Sequence, residues 1–271
     1  MAKNIALDFT GTLTDIEETN MQEALRVTLE RQGRGHEVSG AYKALIDQYG
    51  KTAGERGSDA ALVELYLTNG KQGMTRADIG KAVENSFRKG IIRPDVLDVL
   101  VDTAAKGADI FLVSKNSSDE LRDVADGVRE YSRKRGGPSQ VISDIIGVTL
   151  DYDPAIGKII SVKESITDGN ATEVDGVRLV NKAQLVKRLT DAKFHYISDE
   201  KDFDIARMAQ ASGHNAILIR HPSMSQWPQG RRRDAYFSLA DDYQAATIES
   251  GAYNKIVPTD KVRELLPALL V

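Results

Sequence analysis

The chain contains no cysteine, which excludes disulfide staples, thiolate nucleophiles and zinc–thiolate centres. Histidine is scarce too. The four present, His36, His195, His214 and His221, show no metal-ligand spacing. No apolar run approaches the roughly 20 residues a membrane helix needs, and the first residues lead straight into a strand without a signal-peptide pattern. A cytoplasmic protein with no membrane partner is expected. Positive charge is not in excess either: Lys and Arg number 36 against 40 Asp and Glu, a net charge of −4, which argues against a nucleic-acid partner. There is one tryptophan and no internal repeat. Oligomeric state has no signature in this sequence.

What is present is an ordinary globular composition, 41% hydrophobic and 28% charged over 271 residues. That length fits one large domain with an insertion, or two domains. Short apolar runs recur at Ile5-Ala6-Leu7, Ile110-Phe111-Leu112-Val113, Tyr196-Ile197 and Ala216-Ile217-Leu218-Ile219. Runs without alternation read as strands buried on both faces, hence a parallel sheet covered by helices. Helices are expected over Pro94 to Lys106, with proline at the start and Gly107 at the stop, over Lys182 to Leu189 and over Phe203 to Ala211. The alternation predicts an α/β doubly wound, Rossmann-like parallel-sheet core.

Two stretches depart from that rhythm. Residues 16–92 are charged and helical in pattern, with Leu25, Tyr42, Leu45, Leu62, Leu65 and Tyr66 at apolar positions and several glycines between them. They predict a helical insertion after the first strand. Residues 136–180 hold turn signals at Gly136-Gly137-Pro138, Asp153-Pro154 and Asp168-Gly169-Asn170, and predict a hairpin-rich insertion. The predicted core comprises residues 1–15 and 93–271. A last strand and a helix near Val262 to Leu270 close the chain.

Chemistry concentrates where strands end. Residues 4–15 bring an apolar run onto one acid, Asp8, followed by Thr10, Gly11 and Thr12. A carboxylate there can attack phosphorus, and backbone N–H groups of a glycine-containing turn can hold phosphate oxygens. Ser114 ends the second run and is followed by Lys115 and Asn116, so its hydroxyl is placed for a phosphoryl oxygen. Lys182 heads a helix after Asn181 and supplies a cation. The acidic cluster Asp199-Glu200-Lys201-Asp202-Phe203-Asp204 follows Ser198. Carboxylates gathered with Asp8 suit a hard cation such as Mg²⁺.

This ordered set resembles the haloacid dehalogenase superfamily, most like its phosphoserine-phosphatase-like branch, over most of the chain. Asp8-Phe9-Thr10-Gly11-Thr12 matches the first family motif, Val113-Ser114 the second, Lys182 the third, and Ser198-Asp199 with Asp202 or Asp204 the fourth. The resemblance implies a Mg²⁺-dependent phosphohydrolase acting on a small phosphorylated metabolite through an aspartyl-phosphate. It implies Asp8, Thr10, Ser114 and Lys182 as catalytic residues. Gly11, Thr12, Ser114, Lys115, Asn116 and Lys182 would contact substrate. Asp8, the Thr10 carbonyl and Asp199 would hold metal, with Asp202 or Asp204 in support. Residues 16–92 would be the cap domain such enzymes close over substrate.

The sequence departs from the family pattern at Thr10, where its phosphatases carry a second aspartate that protonates the leaving group. A hydroxyl has no useful pKa near neutrality, and general acid–base help is worth roughly 10²–10⁴-fold. Acyl phosphates, phosphoanhydrides and activated phosphonates therefore suit the site better than sugar phosphates. A phosphonate-cleaving enzyme would need a Schiff-base lysine, for which Lys43, Lys51, Lys71, Lys81 and Lys89 are candidates; a dehalogenase-like hydrolase and a slow phospho-ligand binder complete the alternatives. Plainer readings stand beside these. Ser117 or Ser118 with Glu120 reads as a helix cap, Lys158 is a weaker rival to Lys182, and His195 reads as packing. Arg231-Arg232-Arg233 reads as a solvated loop, and Trp227 as a loop anchor or partner contact.

Overall fold

In the computed structural model, which describes residues 4–14, 20–170, 172–191, 193–199, 202–222 and 241–270, the unbroken apolar runs become adjacent strands of one sheet. The core strands are β1 (Asn4–Leu7), β2 (Asp109–Ser117), β3 (Ile142–Tyr152), β7 (Phe194–Ser198), β8 (Ala216–Arg220) and β9 (Lys255–Pro258). They lie in the order β3-β2-β1-β7-β8-β9, every neighbouring pair parallel. Ile5 and Leu7 face one layer while Ala6 faces the other, so both sheet faces are buried. Chain order reverses beside β1. That is the topological switch point where open α/β sheets bind ligands outside the carboxyl ends of their strands.

The stretch 136–180 extends this sheet. The first part of β3 pairs parallel with β2, and its second part turns at Asp153–Gly157 to pair antiparallel with β4 (Ile159–Thr167). Beyond β4 lie β6 (Val177–Asn181), parallel to it, and the two-residue β5 (Glu173–Val174).

Between β1 and β2 the chain forms α1 (Asn20–Arg31), α2 (Val38–Arg56), α3 (Ser58–Lys71), α4 (Arg76–Lys89) and α5 (Pro94–Ala105). Thr75 starts α4 with a reciprocal capping box to Asp78, and Pro94 opens α5 at its first turn. The chain returns from α4 to the point where it left the sheet: Thr14 bridges Ile92, and Arg93 N–H donates to the Leu13 carbonyl at 3.0 Å. Leu25, Leu29, Tyr66 and Ile79 from these helices share one apolar cluster with Phe111, Val113, Val148 and Tyr196 of the sheet. A second cluster joins the opposite face to α5, α6 (Ser118–Lys134) and α10 (Val262–Leu269). The remaining helices are α7 (Lys182–Thr190), α8 (Phe203–Ala211) and α9 (Asp241–Glu249). Among the described residues, no helix is long and apolar enough to cross a membrane.

Candidate active site

The site grows from the end of β1. Asp8 N–H donates to the Ile197 carbonyl at 2.9 Å, which ties the first strand end to β7. The chain then folds back on itself, the Phe9 carbonyl accepting from the N–H groups of Thr12, Leu13 and Thr14. Gly11 takes φ 75°, a left-handed conformation that favours glycine, and a Cβ there would lie 2.0 Å from Asp199 Oδ2. Glycine thus lets the turn lie directly against the Asp199 carboxylate. Thr12 Oγ1 completes that contact by donating to Asp199 Oδ1 at 3.1 Å.

Lys182 arrives from β6 on the first turn of α7, whose start is fixed by Asn181 Oδ1 accepting from Gln184 N–H. Its side chain is 1% exposed, and its Nζ donates to Asp8 Oδ1 at 3.2 Å and Asp202 Oδ2 at 2.8 Å. Asp202 Oδ2 also accepts from the Tyr196 hydroxyl and from Ser198 Oγ at 3.3 Å. Burial pushes the Asp202 carboxyl up, but the charge and hydrogen bond of Lys182 outweigh it and hold the group below its usual value. Asp8 goes the other way. Burial raises it to about 7, Lys182 opposes the rise, and the charges of Asp202 and Asp199 add to it. Asp202 is therefore the committed partner of Lys182, while burial and the neighbouring carboxylates favour the protonated form of Asp8.

On the other side, Thr10 Oγ1 and Ser114 Oγ both donate to Asn116 Oδ1, at 3.0 and 2.8 Å. Lys115 forms an ion pair with Asp168 at the end of β4. The structure thus brings Asp8, Thr10, Gly11, Thr12, Ser114, Asn116, Lys182, Asp199 and Asp202 to one end of the sheet. It does not bring Asp204, whose side chain is exposed on α8; of the two acids left open by the sequence, Asp202 is the buried one. Lys43, Lys51, Lys71, Lys81 and Lys89 are all exposed, and three of them pair with Asp47, Glu84 and Glu23. A Schiff-base lysine needs desolvation, so none of these positions offers that chemistry. His195 packs, accepting from Asn215 N–H and meeting His214 edge-on. The triple arginine, Trp227, Glu200 and Lys201 lie outside the described residues.

Two residues of the site carried no functional expectation. His221, directly after β8, is buried, with Nε2 3.4 Å from Asp199 Oδ2 and Nδ1 3.1 Å from Thr259 Oγ1. It occupies a strand end, the same signal that marks Asp8 and Asp199. Tyr196 sits inside an apolar run, and nothing in the sequence announces that its hydroxyl reaches Asp202.

The donor set fits a hard cation. Asp199 Oδ2 is buried and makes no hydrogen bond, the His221 imidazole standing 3.4 Å away. The buried Asp8 carboxyl is destabilised as an anion by Asp199 and Asp202, and Mg²⁺ is commonly held by one or two carboxylates with water completing its shell. Among the described residues no group of three or more His, Asp or Glu side chains is arranged to hold a metal ion. The fit is therefore to two carboxylates, Asp8 and Asp199, with Asp202 tied to Lys182.

No family model matches the chain, and no curated protein matches it in sequence. Solved structures do. A phosphoserine phosphohydrolase-like protein from Francisella tularensis aligns over 98% of this chain and 97% of its own, with a TM-score of 0.55 and 15% identity. A substrate-bound phosphoserine phosphatase complex aligns over 99% of both chains, with a TM-score of 0.58 and 11% identity. Cytosolic 5'-nucleotidase IIIB bound to cytidine aligns over 99% of this chain and 83% of its own, with a TM-score of 0.58 and 12% identity. Together with the sheet order, these likenesses establish that the chain shares the fold of the phosphoserine phosphatase structures.

Proposed function

We propose that the protein is a Mg²⁺-dependent phosphohydrolase that cleaves a small phosphorylated compound through an aspartyl-phosphate on Asp8. The observation that carries this reading is the buried Asp8–Lys182–Asp202 set at the switch point of the sheet. Asp8 Oδ1 is held by Lys182, which orients the carboxylate and offsets the charge of an arriving phosphoryl group. Ser114 and Asn116, with the Gly11 and Thr12 turn, receive the phosphoryl oxygens, and Lys115 stands at the rim. Asp202 acts through Lys182, fixing its ammonium. Asp8, Asp199 and the Thr10 carbonyl would hold Mg²⁺, which neutralises phosphoryl charge when bound. Gly11 and Thr12 keep the Asp199 carboxylate in place for that purpose.

In this reading residues 1–15 and 93–271 are the catalytic core and residues 16–92 the cap. The return of the chain at Thr14 and Ile92 supports that division. The test is hydrolysis of acetyl phosphate and p-nitrophenyl phosphate with Mg²⁺, beside Asp8→Asn and Thr10→Asp variants. Turnover by wild type and its loss in Asp8→Asn is the expected result. A second reading, a phospho-ligand binder, draws on Thr10, whose hydroxyl is engaged by Asn116 and offers no acid. Inactivity of wild type on every substrate, with activity appearing in Thr10→Asp, would favour it.

A further inference from the structure

Glu120 stands third after the helix-starting Ser117, the spacing of a capping box, in which the acid reaches back to the backbone N–H of the cap residue. Half of that motif is present: Ser117 Oγ accepts from Glu120 N–H at 3.2 Å. The acid does something else. Its two carboxyl oxygens accept from Asn116 Nδ2 at 3.3 and 3.2 Å. Asn116 is the amide whose Oδ1 receives Thr10 and Ser114. A carboxyl thus lies one side chain away from the hydroxyl that occupies the place of the missing acid.

The surroundings are those of a working acid rather than an ion pair. Glu120 is 4% exposed and its bonded partner is an amide, not a cation. Burial raises its pKa to about 7, the Asn116 and Asn20 amides oppose the rise, and the charge of Asp123 adds to it. The titratable and charged groups around it are Asp119 and Asp123 on α6, Arg76 of α4 paired with Asp123, Tyr66 of α3 and Tyr152 of β3. Asn20, at the head of α1, is buried alongside, its amide facing the Glu120 carboxyl.

We propose that Glu120 is the proton donor and acceptor for the leaving group, doing from α6 what Thr10 cannot do from the β1 turn. The assignment rests on the phosphohydrolase reading above. As an Asp8 oxygen bonds to phosphorus and the bond to the leaving oxygen breaks, the Glu120 carboxylic acid gives its proton to that oxygen, directly or through one water. The resulting carboxylate takes a proton from the water that attacks the aspartyl-phosphate, so phosphate leaves and both side chains return to their starting states. The substrate class changes accordingly: unactivated alkyl phosphate monoesters become competent substrates beside acyl phosphates.

The test compares kcat/KM of wild type, Glu120→Gln and Glu120→Asp on acetyl phosphate, p-nitrophenyl phosphate and glycerol phosphate, each with Mg²⁺ and across pH. Glutamine keeps an oxygen for Asn116 but carries no exchangeable acid. The Glu120→Gln loss on glycerol phosphate should exceed its loss on acetyl phosphate by about 10²-fold or more, the scale of general acid catalysis. The fall in wild-type rate above neutral pH should vanish with it. Glu120→Asp should recover part of the difference, as should Thr10→Asp added to Glu120→Gln. Equal losses on all substrates, or an unchanged pH profile, would assign Glu120 a purely structural role and leave the phosphohydrolase reading standing. A wild-type protein that turns over none of the three would overturn both.

Discussion

Replacing Glu120 with glutamine should stabilise the protein, by an amount that grows from about pH 4.5 and is complete above about pH 7. The carboxyl's pKa rises from an ordinary 4.5 to about 7 in the folded protein, burial being the main cause. A group raised in this way contributes its full stability below 4.5 and loses it as pH climbs to about 7, because across that window the unfolded chain ionises while the folded protein still holds the proton. Each pH unit in that window withdraws about 1.4 kcal/mol, so the buried carboxylate costs roughly 3 kcal/mol above it. Glutamine carries no charge at any pH and escapes this cost. At about 2 °C per kcal/mol for a chain of this size, Glu120→Gln should melt roughly 6 °C above wild type near pH 8 and close to wild type near pH 4. Asp8 is raised to about 7 as well, but it is present in both proteins and cancels in the difference. Calorimetry at paired pH values measures the effect without any substrate. A melting difference of the same size at both ends of the range would refute the raised carboxyl.

Three further outcomes follow from the same geometry. Lys182→Met strands the Asp8 and Asp202 carboxylates with no ammonium between them, where the wild-type distances are 3.2 and 2.8 Å. Breaking a buried pair of this kind costs about 3–5 kcal/mol, read as a lower denaturant midpoint, and a midpoint equal to wild type would contradict the assigned burial. Gly11→Ala forces a Cβ into the Asp199 carboxylate at a φ of 75°. It should destabilise by about 1–3 kcal/mol and weaken Mg²⁺ binding in a calorimetric titration; unchanged affinity would separate Asp199 from the metal. Tyr196→Phe removes a hydroxyl that donates to Asp202, which should cost about 1.5–3 kcal/mol by thermal or chemical unfolding. A silent Tyr196→Phe would mean that Lys182 and Ser198 hold Asp202 without it.

The parallel core was legible because strands buried on both faces cannot alternate. Ile5-Ala6-Leu7 and Ala216 to Ile219 read as apolar from end to end, and the residue after each run marks a strand end. Asp8 stands where the first run ends, Asp199 directly after β7 and Lys182 at a helix head, whereas β2 continues past Ser114 to Ser117. The choice between Asp202 and Asp204 was not legible. It turns on which acid faces Tyr196 and Lys182, and only the entry of the chain into α8 decides that. Glu120 was hidden by its own local pattern, since Ser-x-x-Glu is read as a cap and the tertiary partner Asn116 overrides it. His221 carries no signal in its spacing to the other histidines, although it follows a buried strand as directly as Asp8 does. The span 136–180 was expected as an insertion. Its first strand is instead a full member of the parallel sheet, because Ile142, Ile145 and Ile146 pair with β2 before the turn signals take effect.

The claim that Asp8 is the nucleophile can be tested on the covalent species itself. Protein mixed with acetyl phosphate and Mg²⁺, quenched in acid and digested, should yield one peptide heavier by a phosphoryl group, and fragmentation should place that group on Asp8. The Asp8→Asn protein should yield none. Phosphorylation at another residue, or full turnover by Asp8→Asn, would contradict the account.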